Sequence, residues 1–222
     1  MANKSVEFYN ERDKRTISFL DDTNHLNKKI GVVISKQACQ SFTGQLLAMT
    51  LLNQLCRVHR KISILIEDDG SFFIKAYPII NETKFSSAIQ SLSKAIDPYG
   101  DFQIKNQLTD CEVIISIGNT DISASIYVGC RGTIGILSKD NINHIDWSNS
   151  SKIGAGMAST LAAAAILREV INKPVRPIAI CAWNYEEVDL DSNNYPKDLI
   201  DNLNLGNSLI IGAGAVGSAF AY

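Results

Sequence analysis

A glycine-rich motif near residue 212 has the residue types and spacing that most directly indicate chemistry. The motif GAGAVG places glycines at Gly212, Gly214 and Gly217, directly after the apolar run SLII at 208–211. In a dinucleotide-binding strand–turn–helix unit, the first glycine makes the tight turn, the second lets the backbone approach phosphate, and the third lets helix and strand pack closely. Phosphate then lies on free backbone N–H groups at the helix N-terminus. The motif therefore predicts nucleotide binding by Gly212, Gly214 and Gly217.

A second glycine motif, GAGMAS at Gly154–Ser159, differs in its context. It follows the polar stretch HIDWSNSSKI, which does not resemble a buried strand, and Ser159 stands where the third glycine belongs. Without the preceding strand, the glycines have no phosphate-binding geometry to support. The motif is interpreted as a set of small residues that let another backbone approach a helix.

The remaining chemistry-bearing residues do not form a catalytic or metal-binding pattern. Cys130 beside Arg131 could have a lowered thiol pKa, but no histidine is near in sequence, and a structural role is expected. The acidic pair around Cys111 is expected to mark a solvated strand start rather than a paired-carboxylate site. The three histidines share no metal-ligand spacing, and junction or surface roles are expected for them: His25, His59 and His144. No catalytic residue and no metal ligand is predicted within this chain.

Composition and charge exclude several function classes. The net charge is −2, and the basic residues are scattered, which argues against nucleic-acid binding. The N-terminus has no apolar signal-peptide core, and the longest nearly uncharged stretch, 153–167, is too short for a membrane span. The odd number of cysteines, without a CxxC pair, is typical of reduced thiols in a cytoplasm and argues against a zinc site. These cysteines are Cys39, Cys56, Cys111, Cys130 and Cys181.

The elements that must position these residues follow an α/β pattern. Lys29–Ser35 and Lys61–Glu67 are strand-like runs, and the apolar helix Leu46–His59 lies between them. Strand, helix and strand within about 40 residues form the βαβ unit, whose strands pair in parallel. The first βα turn, Ser35–Gly44, lies where such a unit would hold phosphate, yet it contains a single glycine. This pattern predicts a nucleotide-binding architecture without its phosphate loop.

Later segments extend the sheet and include a hairpin. Helices are predicted at Thr83–Ile96 and Ser151–Lys173, and strands at Cys111–Gly118 and Arg176–Trp183. The run Ser123–Ser138 predicts a β-hairpin that turns at Gly129-Cys130-Arg131-Gly132. The predicted fold class is thus α/β, a Rossmann-like, mixed and mainly parallel sheet with an antiparallel hairpin.

Four segments are expected along the chain. Residues 1–28 are interpreted as a polar N-terminal arm or short helix, and 29–184 as one Rossmann-like domain. Residues 185–207 carry many carboxylates and read as an exposed acidic connection, and 208–222 as the start of a second, truncated domain.

The order of these motifs resembles the ThiF-type adenylyltransferases, the ubiquitin-activating-enzyme-like family of bacterial ubiquitin-like conjugation operons. Three stretches carry the resemblance. TGQLLAMTLLNQLCRVHRKISILI is similar to the first helix and second strand of the family's inactive N-terminal adenylation-like domain. SASIYVGCRGTIGILS and SKIGAGMASTLAAAAILREVI are similar to its hairpin and small-residue helix. AICAWNY, the acidic connection and LIIGAGAVGSA are similar to the passage into the active domain.

The resemblance implies a function for the intact protein. The family's active domain binds ATP and Mg²⁺ and adenylates the C-terminus of a ubiquitin-like or sulfur-carrier protein. A ubiquitin-conjugating-enzyme-like protein is a further implied partner, as is a homodimer mate or a catalytic half. Here only Gly212, Gly214 and Gly217 match the nucleotide motif, so the chain alone is expected to be inactive. The family also lends an arginine from the N-terminal segment to the other half's ATP site, and Arg12 or Arg15 is a candidate; the alternative is a solvated arm.

Two other functions remain open from the sequence. The chain could be a non-catalytic scaffold subunit that pairs with a separate ThiF-like catalytic half. It could instead be a fragment of an NAD(P)-dependent oxidoreductase, because the same glycine loop occurs there. Residues downstream of Tyr222 would separate these alternatives from a truncated adenylyltransferase.

Overall fold

The computed structural model describes residues 2–17, 24–74, 80–148 and 150–194. Gly212, Gly214 and Gly217 lie outside the described residues. The helices of the described part are α1 (Ala2–Ile17), α2 (Lys36–Cys39), α3 (Phe42–Val58), α4 (Phe85–Ile96) and α5 (Lys152–Val170). Its strands are β1 (Lys29–Ile34), β2 (Lys61–Ile66), β3 (Asp101–Ile104), β4 (Val113–Ile117), β5 (Ile126–Arg131), β6 (Ile134–Ser138), β7 (Ile178–Cys181) and β8 (Glu187–Val188).

These strands form one mixed sheet in the order β3-β2-β1-β4-β5-β6-β7-β8. The first five strands of that order are parallel, and the pairs β5–β6, β6–β7 and β7–β8 are antiparallel. The predicted α/β class, with a mainly parallel sheet and an antiparallel hairpin, is confirmed. Strand β3 is an addition to the prediction, because its sequence DFQI alternates polar and apolar residues at the sheet edge.

The strand order reverses direction between β1 and β4. From β1 the chain moves outward to β2 and β3, and it then returns to place β4 on the other side of β1. In open α/β sheets the carboxyl ends of the strands at such a switch point are where ligands bind. The carboxyl ends of these strands, called the carboxyl edge below, are therefore the first place to look for a site.

The main core lies between one face of the sheet and helices α3, α4 and α5. Alternate strand residues such as Ile30, Val32 and Ile34 point into it and are fully buried. Helix α5 approaches the sheet closely because its inward face is small. A Cβ added to Gly154 would lie 2.3 Å from the carbonyl oxygen of Gly132. The interpretation of the second glycine motif as a packing motif is confirmed. By length and composition α5 could cross a membrane, but eight of its residues are buried in this domain.

The hairpin β5–β6 forms as predicted, but its turn lies later in the chain than predicted. Cys130 and Arg131 pair within the strands, and the turn is at Gly132-Thr133, where Gly132 has φ 56°. The predicted turn position was wrong because Arg131 is almost fully buried and its guanidinium binds backbone. It donates to the carbonyl oxygens of His144 (2.7 Å), Leu190 (3.2 Å) and Ser192.

Described residues of the first and third predicted segments contact the central domain. Residues 2–17 form helix α1, which packs beside α3. Glu187–Val188, within the expected acidic connection, pair with β7 as the eighth strand. Through Arg131, residues 190–192 are held to the same domain. The predicted division at residues 208–222 concerns residues outside the described part and stays a prediction.

Candidate functional site

The carboxyl ends of β1, β2 and β4 meet at the switch point, and side chains of the chain itself fill the space between them. Glu67, directly after β2, is central. Its Oε2 accepts the backbone N–H of Lys36 at 2.9 Å, and its Oε1 accepts the hydroxyl of Thr120. Lys36 is the first residue of helix α2, so this N–H is the kind of group that would otherwise bind an anion. A carboxylate of the chain occupies that position.

The N-terminus of helix α3 is also closed. Ser41 caps it, because the Ser41 Oγ accepts the N–H of Gly44 at 2.9 Å. Thr43 donates its hydroxyl to the carbonyl oxygen of Trp147 at 2.6 Å, which holds residues 139–148, after β6, over this end of the helix. A Cβ on Gly44 would lie 2.4 Å from the carbonyl oxygen of Ala38. Helix α2 therefore occupies the turn in which a phosphate loop would lie and packs directly against the first turn of α3.

The end of β4 leaves no gap beside β1. Gly118 has φ +84°, and a Cβ there would lie 2.2 Å from the Ser35 Oγ and 3.1 Å from the Trp147 ring. The next residue, Asn119, exchanges two hydrogen bonds with the backbone of Ile142, at 2.7 and 2.8 Å. These contacts connect the loops after β4 and β6 into one packed layer.

The electrostatics of this edge oppose a phosphate ligand. Asp68 and Asp69 follow Glu67, and Asp121 follows Thr120, so four carboxylates lie along the strand ends. The hydrogen bond from Gln40, and next to it Ser71, hold the pKa of Asp68 below its usual value, so this side chain is ionised at neutral pH. Clefts lined by one sign of charge repel ligands of the same sign. The described residues thus do not fit ATP at this edge, by packing or by charge.

Most sequence-predicted residues do not contribute to this edge. Cys130 is fully buried, and burial raises its pKa to about 12, so the expected structural role fits. His144 is exposed, and the buried His59 ends helix α3 with its backbone N–H on the carbonyl of Leu55. The side chain of His25 lies outside the described part. Within the described residues, no group of His, Cys, Asp and Glu could hold a metal ion.

The carboxylates around Cys111 do not form a pair. Glu112 accepts the N–H of Lys29 at 3.3 Å and lies 3.9 Å from the ammonium of Lys28. Asp110 is an exposed turn residue with φ 61°. The expectation of a solvated strand start is confirmed.

Arg12 is held at the opposite edge of the sheet. Its guanidinium contacts Asp13 and Asp97, each at 2.6 Å, and Asp13 also contacts Arg60 at 2.6 Å. The two carboxylates are 2% and 1% exposed. The solvated-arm alternative for Arg12 is therefore wrong, because the side chain ties α1 to the amino ends of β2 and β3. The side chain of Arg15 lies outside the described residues.

The sequence reasoning did not single out Glu67, Thr120 or Trp147. A signal for Glu67 was present: it is the acidic residue at the end of β2, where a dinucleotide-binding unit carries its ribose-binding carboxylate. Its contact with Thr120 spans 53 positions and could not be read from local pattern. In this chain the Glu67 carboxylate binds the backbone N–H of Lys36 and the hydroxyl of Thr120.

Comparisons with known proteins support the fold. No protein-family model matches the sequence, and no curated protein does. Solved structures do match. E. coli MccB with selenomethionine MccA aligns with a TM-score of 0.55 at 8% identity, over 75% of this chain and 64% of that chain. PaaA aligns with a TM-score of 0.57 at 8% identity, over 81% of each chain. E. coli MccB with ATP aligns with a TM-score of 0.51 at 9% identity, over 75% of this chain and 64% of that chain.

The alignment thus spans less than two thirds of the MccB chain. At these identities the likeness concerns the fold alone, and it does not favour the oxidoreductase alternative. The chain therefore has a Rossmann-like, mixed α/β fold that is similar to the folds of MccB and PaaA.

Proposed function

We propose that this chain is the adenylation-like, non-nucleotide-binding domain of a ThiF-type adenylyltransferase. The strand ends of the described domain carry the proposal, because Glu67 and its neighbours fill the place where a Rossmann-like unit would hold phosphate. In this proposal ATP and Mg²⁺ bind in the intact protein at the unit that contains the GAGAVG motif, through Gly212, Gly214 and Gly217. The described domain then contributes structure and partner surfaces rather than phosphate contacts.

The fold neighbours support the class of reaction. MccB, a microcin C7 biosynthetic enzyme, has been crystallised with ATP, with AMPCPP and with the peptide MccA. By analogy, the substrate here is the C-terminus of a peptide or of a small carrier protein, including a ubiquitin-like or sulfur-carrier protein. A ubiquitin-conjugating-enzyme-like partner, a homodimer mate or catalytic half, a bacterial conjugation operon and a cytoplasmic location are the finer parts of the same proposal.

The test is nucleotide binding by the complete gene product, because binding needs no knowledge of the acceptor. Isothermal titration calorimetry with AMPCPP and Mg²⁺ would compare the wild type, Gly214→Val and Glu67→Gln. We expect Gly214→Val to weaken binding at least about a hundredfold and Glu67→Gln to leave the Kd within about twofold. An equal loss of AMPCPP affinity in both variants would contradict the proposal, because the described domain would then contact the nucleotide as well as the GAGAVG motif.

A second measurement separates the reaction classes. ATP–pyrophosphate exchange reports adenylation, whereas NADH binding reports an oxidoreductase. Binding of NADH without AMPCPP binding would overturn the adenylyltransferase proposal. AMPCPP binding that requires a separately encoded ThiF-like polypeptide would replace it with the scaffold alternative.

A further inference from the structure

The strand-end loop, residues 67–74, presents two apolar side chains to solvent. Phe72 is 78% exposed and Ile74 is 41% exposed. Between them, Phe73 points inward, is 6% exposed, and stacks on Phe85 with ring centroids 6.5 Å apart. Exposed and buried side chains thus alternate along the loop, and Phe73 is the side chain that packs into the core. Core packing therefore does not account for Phe72 and Ile74.

The same loop is held rigidly by a buried amide. Gln45 is fully buried, and its Nε2 donates to the carbonyl oxygens of Cys39 (2.7 Å) and Phe72 (2.8 Å). Its Oε1 accepts the N–H of Ile74 at 2.8 Å. Leaving a large apolar side chain in water forgoes the favourable free energy of burying it. A rigid loop that keeps such a side chain exposed is preorganised to bury it against a partner.

A cleft of about 410 Å³ lies beside these side chains. Its lining includes the apolar Phe72 and Ile74 and the polar Asp68 and Gln40. The Gln40 Nε2 donates to the Asp68 Oδ2 at 2.7 Å. The remaining lining residues are Cys39, Gly70 and Ser71. An ionised carboxylate and an aromatic ring on one cleft together favour a cation with an apolar stem.

The surrounding charge has the sign that such a cation requires. The strand-end loop carries Glu67, Asp68 and Asp69 and no basic residue, and the exposed Asp121 lies nearby through Thr120. Lys36 and Lys84 border the loop and Lys75 follows it in the sequence, so four carboxylates stand against three lysines. Charge complementarity of this kind steers association with a basic partner.

We propose that the cleft binds a lysine or arginine side chain of a partner protein, with an adjacent apolar residue of that partner packed on Phe72 and Ile74. The partner segment alternates basic and apolar residues. The cation takes the Asp68 side of the cleft, and the aliphatic stem and the neighbouring apolar residue cover the exposed ring. This surface is independent of nucleotide binding, so its loss leaves AMPCPP affinity unchanged.

The test uses a defined probe and surface variants of the full chain. A short fluorescein-labelled peptide that alternates lysine with leucine is titrated with protein and followed by fluorescence anisotropy. The control peptide has glutamate in place of each lysine. We expect binding of the lysine peptide only, with affinity that falls as salt is added. The double variant Phe72→Ser/Ile74→Ser should weaken it about tenfold or more, and Asp68→Asn about threefold or more.

Matched variants distinguish this surface from general attraction. Val6→Ser removes another exposed apolar side chain, 55% exposed and on α1, and Asp101→Asn removes an exposed carboxylate at β3. Neither should change the affinity. No binding, equal binding of both peptides, or an equal loss in Val6→Ser or Asp101→Asn would overturn the proposal. Sedimentation that shows a dimer broken by Phe72→Ser/Ile74→Ser would also overturn it, because the occupant would then be a second copy.

Discussion

The amino ends and the carboxyl ends of the central strands, the amino edge and the carboxyl edge, are both closed by charged side chains, but in different ways. At the amino edge, Asp13 and Asp97 are buried and bind the guanidinium groups of Arg12 and Arg60. At the carboxyl edge, Glu67 is exposed and binds a backbone N–H and a hydroxyl. Strands of six residues separate these edges by roughly 20 Å.

The difference shows that the two edges contribute differently to stability and to ligand binding. Buried charge pairs hold elements together, and removing one partner leaves an uncompensated charge. An exposed carboxylate on a helix N-terminus contributes little to stability, yet it occupies the position that an anion would need. The amino edge is therefore an anchor, and the carboxyl edge is a blocked site.

The largest effect is expected at the amino edge. Asp97→Ala removes one of the two carboxylates that Arg12 contacts at 2.6 Å, and it removes the acceptor of the Tyr99 N–H at 2.9 Å. Because Asp13 still pairs with Arg12, we expect a loss of about 2–3 kcal/mol, below the roughly 3–5 kcal/mol for a buried charge left without any partner. Urea denaturation should show this loss in the free energy of unfolding, while Asp101→Ala, at an exposed position, should change it by less than about 0.5 kcal/mol. A loss below about 1 kcal/mol for Asp97→Ala would refute the anchor.

Packing at the carboxyl edge gives the second effect. Gly44→Ala places a methyl group 2.4 Å from the carbonyl oxygen of Ala38. The backbone fixes both atoms, so a side-chain rotation cannot relieve the contact. Overpacking of this kind costs about 1–3 kcal/mol. Gly70→Ala is the matched control, because its nearest atom, the Asp68 Oδ1, lies 3.5 Å away. Equal thermal unfolding midpoints for the two variants would show that α2 does not pack tightly on the first turn of α3.

Buried thiols report water access at each edge. Cys39 lies at the carboxyl edge and Cys56 at the amino edge, and burial raises their pKa values to about 11 and about 12. Because the unfolded chain loses these protons at lower pH than the folded chain, stability falls as the pH rises above about 9. The slope is about 1.4 kcal/mol per pH unit for each thiol. Cys39→Ala and Cys56→Ala should each flatten the fall measured by urea denaturation. An unchanged slope in one variant would mean that water reaches that edge.

The smallest effect concerns Glu67 itself. Glu67→Gln keeps the shape and removes the charge, so it should lower the free energy of unfolding by less than about 1 kcal/mol. The same measurement on Asp97→Ala and Glu67→Gln compares the contributions of the two edges to the free energy of unfolding. A loss in urea denaturation as large as that of Asp97→Ala would make Glu67 an anchor as well.

The regular elements were readable from local pattern. The apolar runs of β1, β2 and β4, the periodic faces of α3 and α4, and the alanine-rich α5 all form where their sequences indicate. Each is long or apolar enough that burial and local preference agree. The four-residue α2 and the two-residue β8 are too short to give a pattern, and β3 is half exposed.

The blocked site depended on contacts that no local pattern contains. Thr43 reaches Trp147 across 104 positions, and Asn119 reaches Ile142 across 23. Arg131 looked like a turn residue because charge usually marks the surface, yet carbonyl oxygens from two distant loops satisfy it. Pattern indicated that the phosphate loop was missing, but only the fold shows what replaced it.

Amide hydrogen exchange with and without AMPCPP tests the central claim most directly, because it locates any nucleotide on the sheet. The account predicts no added protection in residues 34–44, 67–72 and 118–122 when AMPCPP and Mg²⁺ are present in excess. Added protection in those three segments would contradict it, because the strand ends closed by Glu67 would then hold the nucleotide.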